Sequence, residues 1–125
     1  MIRKTLAAVA ALAVLASAPA AAQELTGTLK KIKDSGTITI GHRETSIPFS
    51  YLDEKQQPIG YSIDLCNKVV EAVKAELKMP NLQVKQVPVV SQTRIPLVAN
   101  GTVDLECGST TNTLTRQKQA EFSHI

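Results

Sequence analysis

Arg43, Arg94 and Arg116 each stand among hydroxyl side chains: in His42-Arg43-Glu44-Thr45-Ser46, in Ser91-Gln92-Thr93-Arg94, and in Ser109-Thr110-Thr111-Asn112 followed by Arg116. The fourth arginine, Arg3, lies in the N-terminal segment, and the lysines are scattered over segments that read as helices and turns. A guanidinium presents a rigid fork that fits a carboxylate or phosphate with two parallel hydrogen bonds, whereas a lysine offers a point charge. If the three segments meet, the chemistry they supply is capture of a small, multiply anionic ligand. Each also has a plainer reading. An arginine after a strand is ordinarily solvated or salt-bridged, Ser91 suits a helix cap, and 109–111 suit a turn. His42 reads as structural or exposed, and Asp104 and Glu106 as the polar face of a strand. Cys107 lacks the local signature of a thiol nucleophile.

What would bring these segments together is an alternation of strand and helix. Leu29 and Ile32 give helical spacing within 25–36, with Gly36 as the stop. Thr37-Ile38-Thr39-Ile40 alternates and is β-branched, which predicts a first strand, ended by Gly41. Segments 49–52 and 59–61 flank a polar turn and predict a small hairpin. Ser62 is placed to cap a long helix that runs to about Met79, with Cys66, Val69, Val70, Val73 and Leu77 on one face. Pro80 and Asn81 end it. A second strand spans 82–90, where Pro88 marks an edge or a bend. Ser91 caps a short helix through Asn100, with Gly101 just past its end. Val103, Leu105 and Cys107 alternate with Asp104 and Glu106 as a third strand. Thr113 caps a last short helix to about Gln119, and 121–125 begins another strand.

This alternation implies an α/β fold with βαβ units and a doubly wound, mostly parallel sheet in spatial order 2-1-3. Ligands of such sheets bind beyond the carboxyl ends of the strands, which is where the three arginine segments fall. Arg43, Arg94 and Arg116 are therefore expected on one rim with Ser91, Ser109 and Thr111 among them. A helix starting at Ser91 would add backbone N–H groups. Cys66 and Cys107 would pair if the long helix covers the face to which Cys107 points. If it covers the other face, they are two buried thiols.

The 125 residues allow one domain, and 43% hydrophobic with 20% charged residues is globular composition. Aromatics are 3% with no Trp, which argues against base-stacking platforms. The net charge of +3 becomes +1 without Arg3 and Lys4, twelve basic residues against eleven acidic, so no nucleic-acid partner is expected. Two cysteines without Cys-x-x-Cys do not make a four-ligand zinc site, and no Gly-x-x-x-x-Gly-Lys or Gly-x-Gly-x-x-Gly is present. No metal and no cofactor are expected. Residues 1–22 read as a secretory signal peptide: Arg3 and Lys4, then an apolar run over 6–15, then small residues at 17–22. The run is shorter than the roughly 20 residues needed to span a bilayer. Cleavage after Ala22 would export 23–125, in a Gram-negative cell to the periplasm, where disulfides form.

Gly41-His42-Arg43-Glu44, Pro48-Phe49-Ser50-Tyr51, Ile59-Gly60-Tyr61-Ser62, Ser91-Gln92-Thr93-Arg94-Ile95-Pro96, Asn100-Gly101-Thr102-Val103-Asp104 and Cys107-Gly108-Ser109-Thr110-Thr111-Asn112 occur in this order. With Arg116-Gln117 and Phe122-Ser123 they resemble the periplasmic glutamate/aspartate-binding proteins of ABC transporters over nearly all of 23–125. Asn-Gly-x-x-Asp and Arg-Gln are shared by amino-acid-binding proteins in general; Cys-Gly-Ser-Thr-Thr-Asn is more specific. The resemblance implies a periplasmic-binding-protein-like fold of two α/β lobes joined by hinge strands, with the ligand enclosed between them. On it, 23–125 is the first lobe of a solute-binding domain, incomplete, without the second lobe and the strands that return to the first. It implies that Arg116 and Thr111 hold the ligand's α-carboxylate and that Ser109 helps with that carboxylate or with the α-ammonium. Arg43, Ser91 and Arg94 would face the side-chain carboxylate of glutamate or aspartate. The family's aspartate for the ligand ammonium would lie beyond residue 125. The implied partner is an ABC transporter permease in the inner membrane, and the implied role is delivery without chemistry.

Two other functions are open on the same residues. An exported, dehydratase-like enzyme on this fold would need a general acid or base, and the rim offers His42 and Glu44. A truncated fragment without function is the other. An open rim leaves each arginine–carboxylate pair in water, worth about 0–1 kcal/mol, so binding far weaker than that of a two-lobe protein is expected. An unpaired strand edge prone to association and a dangling 122–125 are expected with it. The intact mass of the exported protein should correspond to a chain beginning at Gln23, give or take two residues; a mass that retains 1–22 would show that the segment is not a cleaved signal.

Overall fold

The structure, a computed structural model, describes residues 24–124; the expected signal peptide and Ile125 lie outside the described residues. In chain order the elements are α1 (Gly27–Ser35), β1 (Thr37–His42), β2 (Thr45–Ser46), β3 (Ser50–Leu52), β4 (Pro58–Ile59), α2 (Tyr61–Leu77), β5 (Gln83–Pro88), α3 (Arg94–Ala99), β6 (Leu105–Cys107) and α4 (Leu114–Gln117). The β-branched run Thr37-Ile38-Thr39-Ile40 makes β1 the middle of a three-stranded sheet, ordered β5-β1-β6 and parallel on both sides. This is the expected 2-1-3 arrangement of an α/β lobe. Beside it, β2, β3 and β4 form a small antiparallel sheet.

Strand alternation divides the side chains of the main sheet between its two faces. Ile38, Ile40 and His42 share one face, and the register of His42 with Cys107 puts Cys107 there as well. α1 and α2 cover it, enclosing a core of Ile32, Ile38, Ile40, Ile63, Cys66, Val70, Leu77, Leu82 and Cys107. The helix thus lies on the face that lets the cysteines meet, and Cys66 and Cys107 form a disulfide with Cα atoms 6.2 Å apart. Cross-linking residues 41 positions apart removes about 4 kcal/mol of unfolded-chain entropy. Gly41 and its register partner Glu106 point to the opposite face. There a Cβ on Gly41 would lie 3.0 Å from Val103 and 3.2 Å from Val89, so those two valines close over the strand.

Several local expectations are corrected. Gly41 does not end β1, which continues through His42. The hairpin at 50–59 gains β2 as a third strand. Ser62 is not the cap of α2: Gly60 is, with φ 124° and a backbone so close to Phe49 that a Cβ would sit 2.5 Å from the Phe49 carbonyl oxygen. Only glycine fits that approach. On α2, Val69 is 44% exposed and Ile63 takes its expected place in the core. Ser91 does not cap α3, which starts at Arg94 behind Thr93. Pro88 ends the edge strand β5, where a missing N–H is harmless. Thr113 caps α4 as expected, its hydroxyl accepting from the Arg116 N–H at 3.3 Å. Residues 121–124 form no strand, and Phe122 is half-buried rather than dangling.

Asp104, expected on a polar strand face, is instead a buried tie. Its Oδ2 accepts from the Thr39 N–H at 2.9 Å and its Oδ1 from Lys31 Nζ at 2.7 Å, joining α1, β1 and the approach to β6. The side chain of Asp104 is 2% exposed and that of Lys31 46%. Asp104→Ala strands the part-buried Thr39 N–H and should lower stability by about 1–3 kcal/mol. Lys31→Ala removes the exposed partner and leaves Asp104 its bond to the Thr39 N–H, so it should cost less than Asp104→Ala. Urea unfolding of the two variants checks the ordering.

Candidate functional site

The register of β1 sets the site. His42 pairs with Pro88 on one side and Cys107 on the other, so all three strands of the sheet finish in one row. The Val89 N–H continues the row onto the His42 carbonyl at 2.8 Å. Arg43, the segment 89–91 and the loop 108–111 therefore leave the sheet from the same edge.

Each arginine is fixed differently. Arg43 is gripped through its backbone by Ser50, which is fully buried: the Arg43 N–H donates to Ser50 Oγ at 2.8 Å, and Ser50 Oγ donates back to the Arg43 carbonyl at 3.2 Å. Its Nη1 then donates to Ser91 Oγ at 3.0 Å. Arg116, half-buried on α4, donates from Nη1 to the Thr111 carbonyl at 2.8 Å. Arg94, at the start of α3, is 8% exposed, and its Nε is buried with no hydrogen-bond partner. Burial holds the Arg94 pKa below its usual value; Glu106 opposes that shift, while Arg43 and Arg116 add to it by repulsion. Arg43 and Arg116 thus both lie within electrostatic reach of the Arg94 guanidinium.

The loop after β6 is held from below. Ser62 Oγ donates to the Gly108 carbonyl at 2.7 Å, tying the start of α2 to the rim. A Cβ at Gly108 would overlap Glu106 Oε1 and lie 2.8 Å from Arg43 Cγ, so glycine is the residue that lets both side chains pass. Ser109 and Thr111 are exposed on this loop. Of the expected site residues, Arg43 and Ser91 are in direct contact, Arg94 and Arg116 join them through charge, and Ser109 and Thr111 line the loop beside Arg116. α3 has six residues, and Ser91 precedes it by three, so the N–H groups of a helix start do not serve Ser91. His42 is 6% exposed, with its ring Nδ1 3.3 Å from the Arg43 carbonyl. Glu44 is exposed.

Sequence reasoning gave no rim role to Ser50 or Gly108, read Ser62 only as a helix cap, and read Glu106 only as the polar face of a strand. For Glu106 the signal was available: with Cys107 facing α2, alternation sends Glu106 to the other face and to the rim.

The lobe thus presents a parallel sheet with a cationic, hydroxyl-bearing edge at its strand ends, the architecture of a solute-binding lobe. Residues 38–125 match the bacterial extracellular solute-binding proteins, family 3, and the chain belongs to that family. It is 65% identical over 123 residues to the L-glutamate/L-aspartate-binding protein of Pseudomonas aeruginosa, a match covering 98% of this chain and 41% of that protein. It is 55% identical over 125 residues to the glutamate/aspartate import solute-binding protein of Escherichia coli K12, again with 98% of this chain and 41% of that protein covered. The chain thus spans about two-fifths of the length of these relatives, both named as binding proteins. Among solved structures, the solute receptor for L-cysteine of Neisseria gonorrhoeae superposes with a TM-score of 0.65 at 28% identity, over 78% of this chain and 38% of that one. An ancestral cyclohexadienyl dehydratase superposes with a TM-score of 0.67 at 28% identity, over 81% of this chain and 39% of that one.

Arg94 Nε is buried without a hydrogen-bond partner, and burial with repulsion from Arg43 and Arg116 outweighs the attraction of Glu106, so removing the charge should relieve the site. Arg94→Met keeps the packing of the stem and should raise stability by about 1–3 kcal/mol in anion-free buffer. Urea unfolding measures it; a loss of stability would show that the guanidinium is net stabilising where it stands.

Proposed function

We propose that this chain forms the first, N-terminal lobe of an extracytoplasmic binding protein for acidic amino acids, and that it delivers glutamate or aspartate to an ABC transporter permease. The observation that carries the reading is the convergence of Arg43, Ser91, Arg94 and Arg116 on one edge of the parallel sheet. Two cationic pockets suit a ligand with two carboxylates. In this reading Arg116 and Thr111 take the α-carboxylate, with Ser109 beside them, and Arg43, Ser91 and Arg94 take the side-chain carboxylate. The names of the two bacterial relatives support the same ligand pair. Residues 1–22 serve as the signal for export to the periplasm, and the disulfide is consistent with that compartment.

The role is binding without chemistry. A general base has to reach a proton on the substrate. The buried His42 ring faces the carbonyl of its neighbour instead.

Calorimetric titration with glutamate, aspartate and glutamine tests the reading. Both acids should bind, and glutamine should bind at least about tenfold more weakly, because an amide cannot complete a charge-assisted pair with the second pocket. Arg116→Ala should weaken glutamate binding measurably but by no more than about 1 kcal/mol, the pair being open to water. Equal affinity for glutamate and glutamine, or turnover of any ligand, would overturn the reading.

A further inference from the structure

We propose that Glu106 is the internal countercharge of the arginine cluster and sets the net charge of ligand that the rim prefers. The inference rests on the acidic-ligand reading for its choice of ligands, and it adds a residue that the ligand does not touch. Glu106 lies on β6 in register with Gly41, on the face of the sheet opposite the disulfide. Its Oε1 is buried and accepts no hydrogen bond. It occupies the space that a side chain at position 108 would fill, next to the Arg43 stem, whose Cγ comes within 2.8 Å of the same point. Gly108 and Glu106 are thus one device: the glycine admits the carboxylate beneath the rim.

A carboxylate with one oxygen buried and without a bonded donor is held there by the field of nearby cations. The cation coupled to it is Arg94, with the Arg43 stem passing beside the space that Glu106 fills. Three guanidinium groups and one carboxylate leave the cluster two positive charges in excess. Without Glu106 the excess is three. Because Glu106 acts through space, its effect on a ligand scales with the ligand's net charge. Glutamate carries one net negative charge, and glutarate, the same dicarboxylate without the ammonium, carries two. Glu106 therefore weakens glutarate more than glutamate, and so favours amino acids over simple dicarboxylates and divalent inorganic anions. It is a positioning and charge-setting residue rather than a contact.

The test compares the parent chain with Glu106→Gln and Glu106→Asp, using glutamate, glutarate and inorganic sulfate at low ionic strength, with circular dichroism to confirm folding. Glu106→Gln should bind glutamate roughly three- to tenfold more tightly, and glutarate and sulfate by about the square of that factor. Added salt should shrink both gains. Glu106→Asp keeps the charge and should keep the parent's glutarate-to-glutamate ratio. A purely structural role would lower all affinities in step in both variants. An unchanged glutarate-to-glutamate ratio in Glu106→Gln, or sulfate that stabilises this variant no more than the parent, overturns the proposal. If no protein binds glutamate while sulfate binding strengthens in Glu106→Gln, the amino-acid reading fails and the role of Glu106 stands.

Discussion

Three guanidinium groups share one edge of a three-stranded sheet, and their repulsion has to be borne by whatever anchors them. Two are tied by donated hydrogen bonds, Arg43 to Ser91 Oγ and Arg116 to the Thr111 carbonyl. Ser50 fixes the Arg43 backbone from both sides, and Thr113 fixes the start of α4. Arg94 is held by burial instead, which is why its pKa falls. A cluster assembled in this way has lower energy when negative charge is added to it. In the proposed reading, the unfavourable setting of Arg94 and an affinity for anions are one property.

The two faces of the sheet divide the work. The α2 face is apolar and cross-linked, with the Cys66–Cys107 bond at its rim end and a continuous aliphatic core behind it. The other face is thin, closed by Val89 and Val103, and carries Glu106 near the cluster. The aliphatic core is gathered on the face opposite Glu106. The polar face then tolerates buried atoms that a core would exclude, Arg94 Nε and Glu106 Oε1 among them.

The alternation of strand and helix, the spatial order of the sheet and the rim with its arginines were legible from residue pattern, because period two and period 3.6 are written directly into hydrophobic spacing. The caps were not. Ser62 and Ser91 have the right chemistry for a helix start, but tertiary partners claim them: the Gly108 carbonyl for one and Arg43 for the other. Gly60 begins α2 because the hairpin backbone passes too close for any side chain, a constraint that no local window contains. Gly41 reads as a terminator and is a close-packing position inside β1. Asp104 and Glu106 look alike in the sequence as polar strand residues. The first binds a backbone N–H and a lysine, and the second faces arginines, a difference set by which ends of the neighbouring elements arrive beside them.

The order β5-β1-β6 also dictates the sequence of events as the chain is made. The central strand is the first to emerge. Thr37 waits for Gln83, 46 residues later, and Ile40 waits for Leu105, 65 residues later. Until then β1 has two bare edges and an isoleucine face that α1 alone cannot cover. Loop-closure entropy of this kind slows folding and prolongs the exposure of strand edges. A chain threaded out of the cytoplasm amino end first would spend that interval on the far side of the membrane. Of these three strands β6 arrives last, with Asp104 just before it and Glu106 and Cys107 within it, so the α1 tie, the countercharge and the cross-link are completed in a single step.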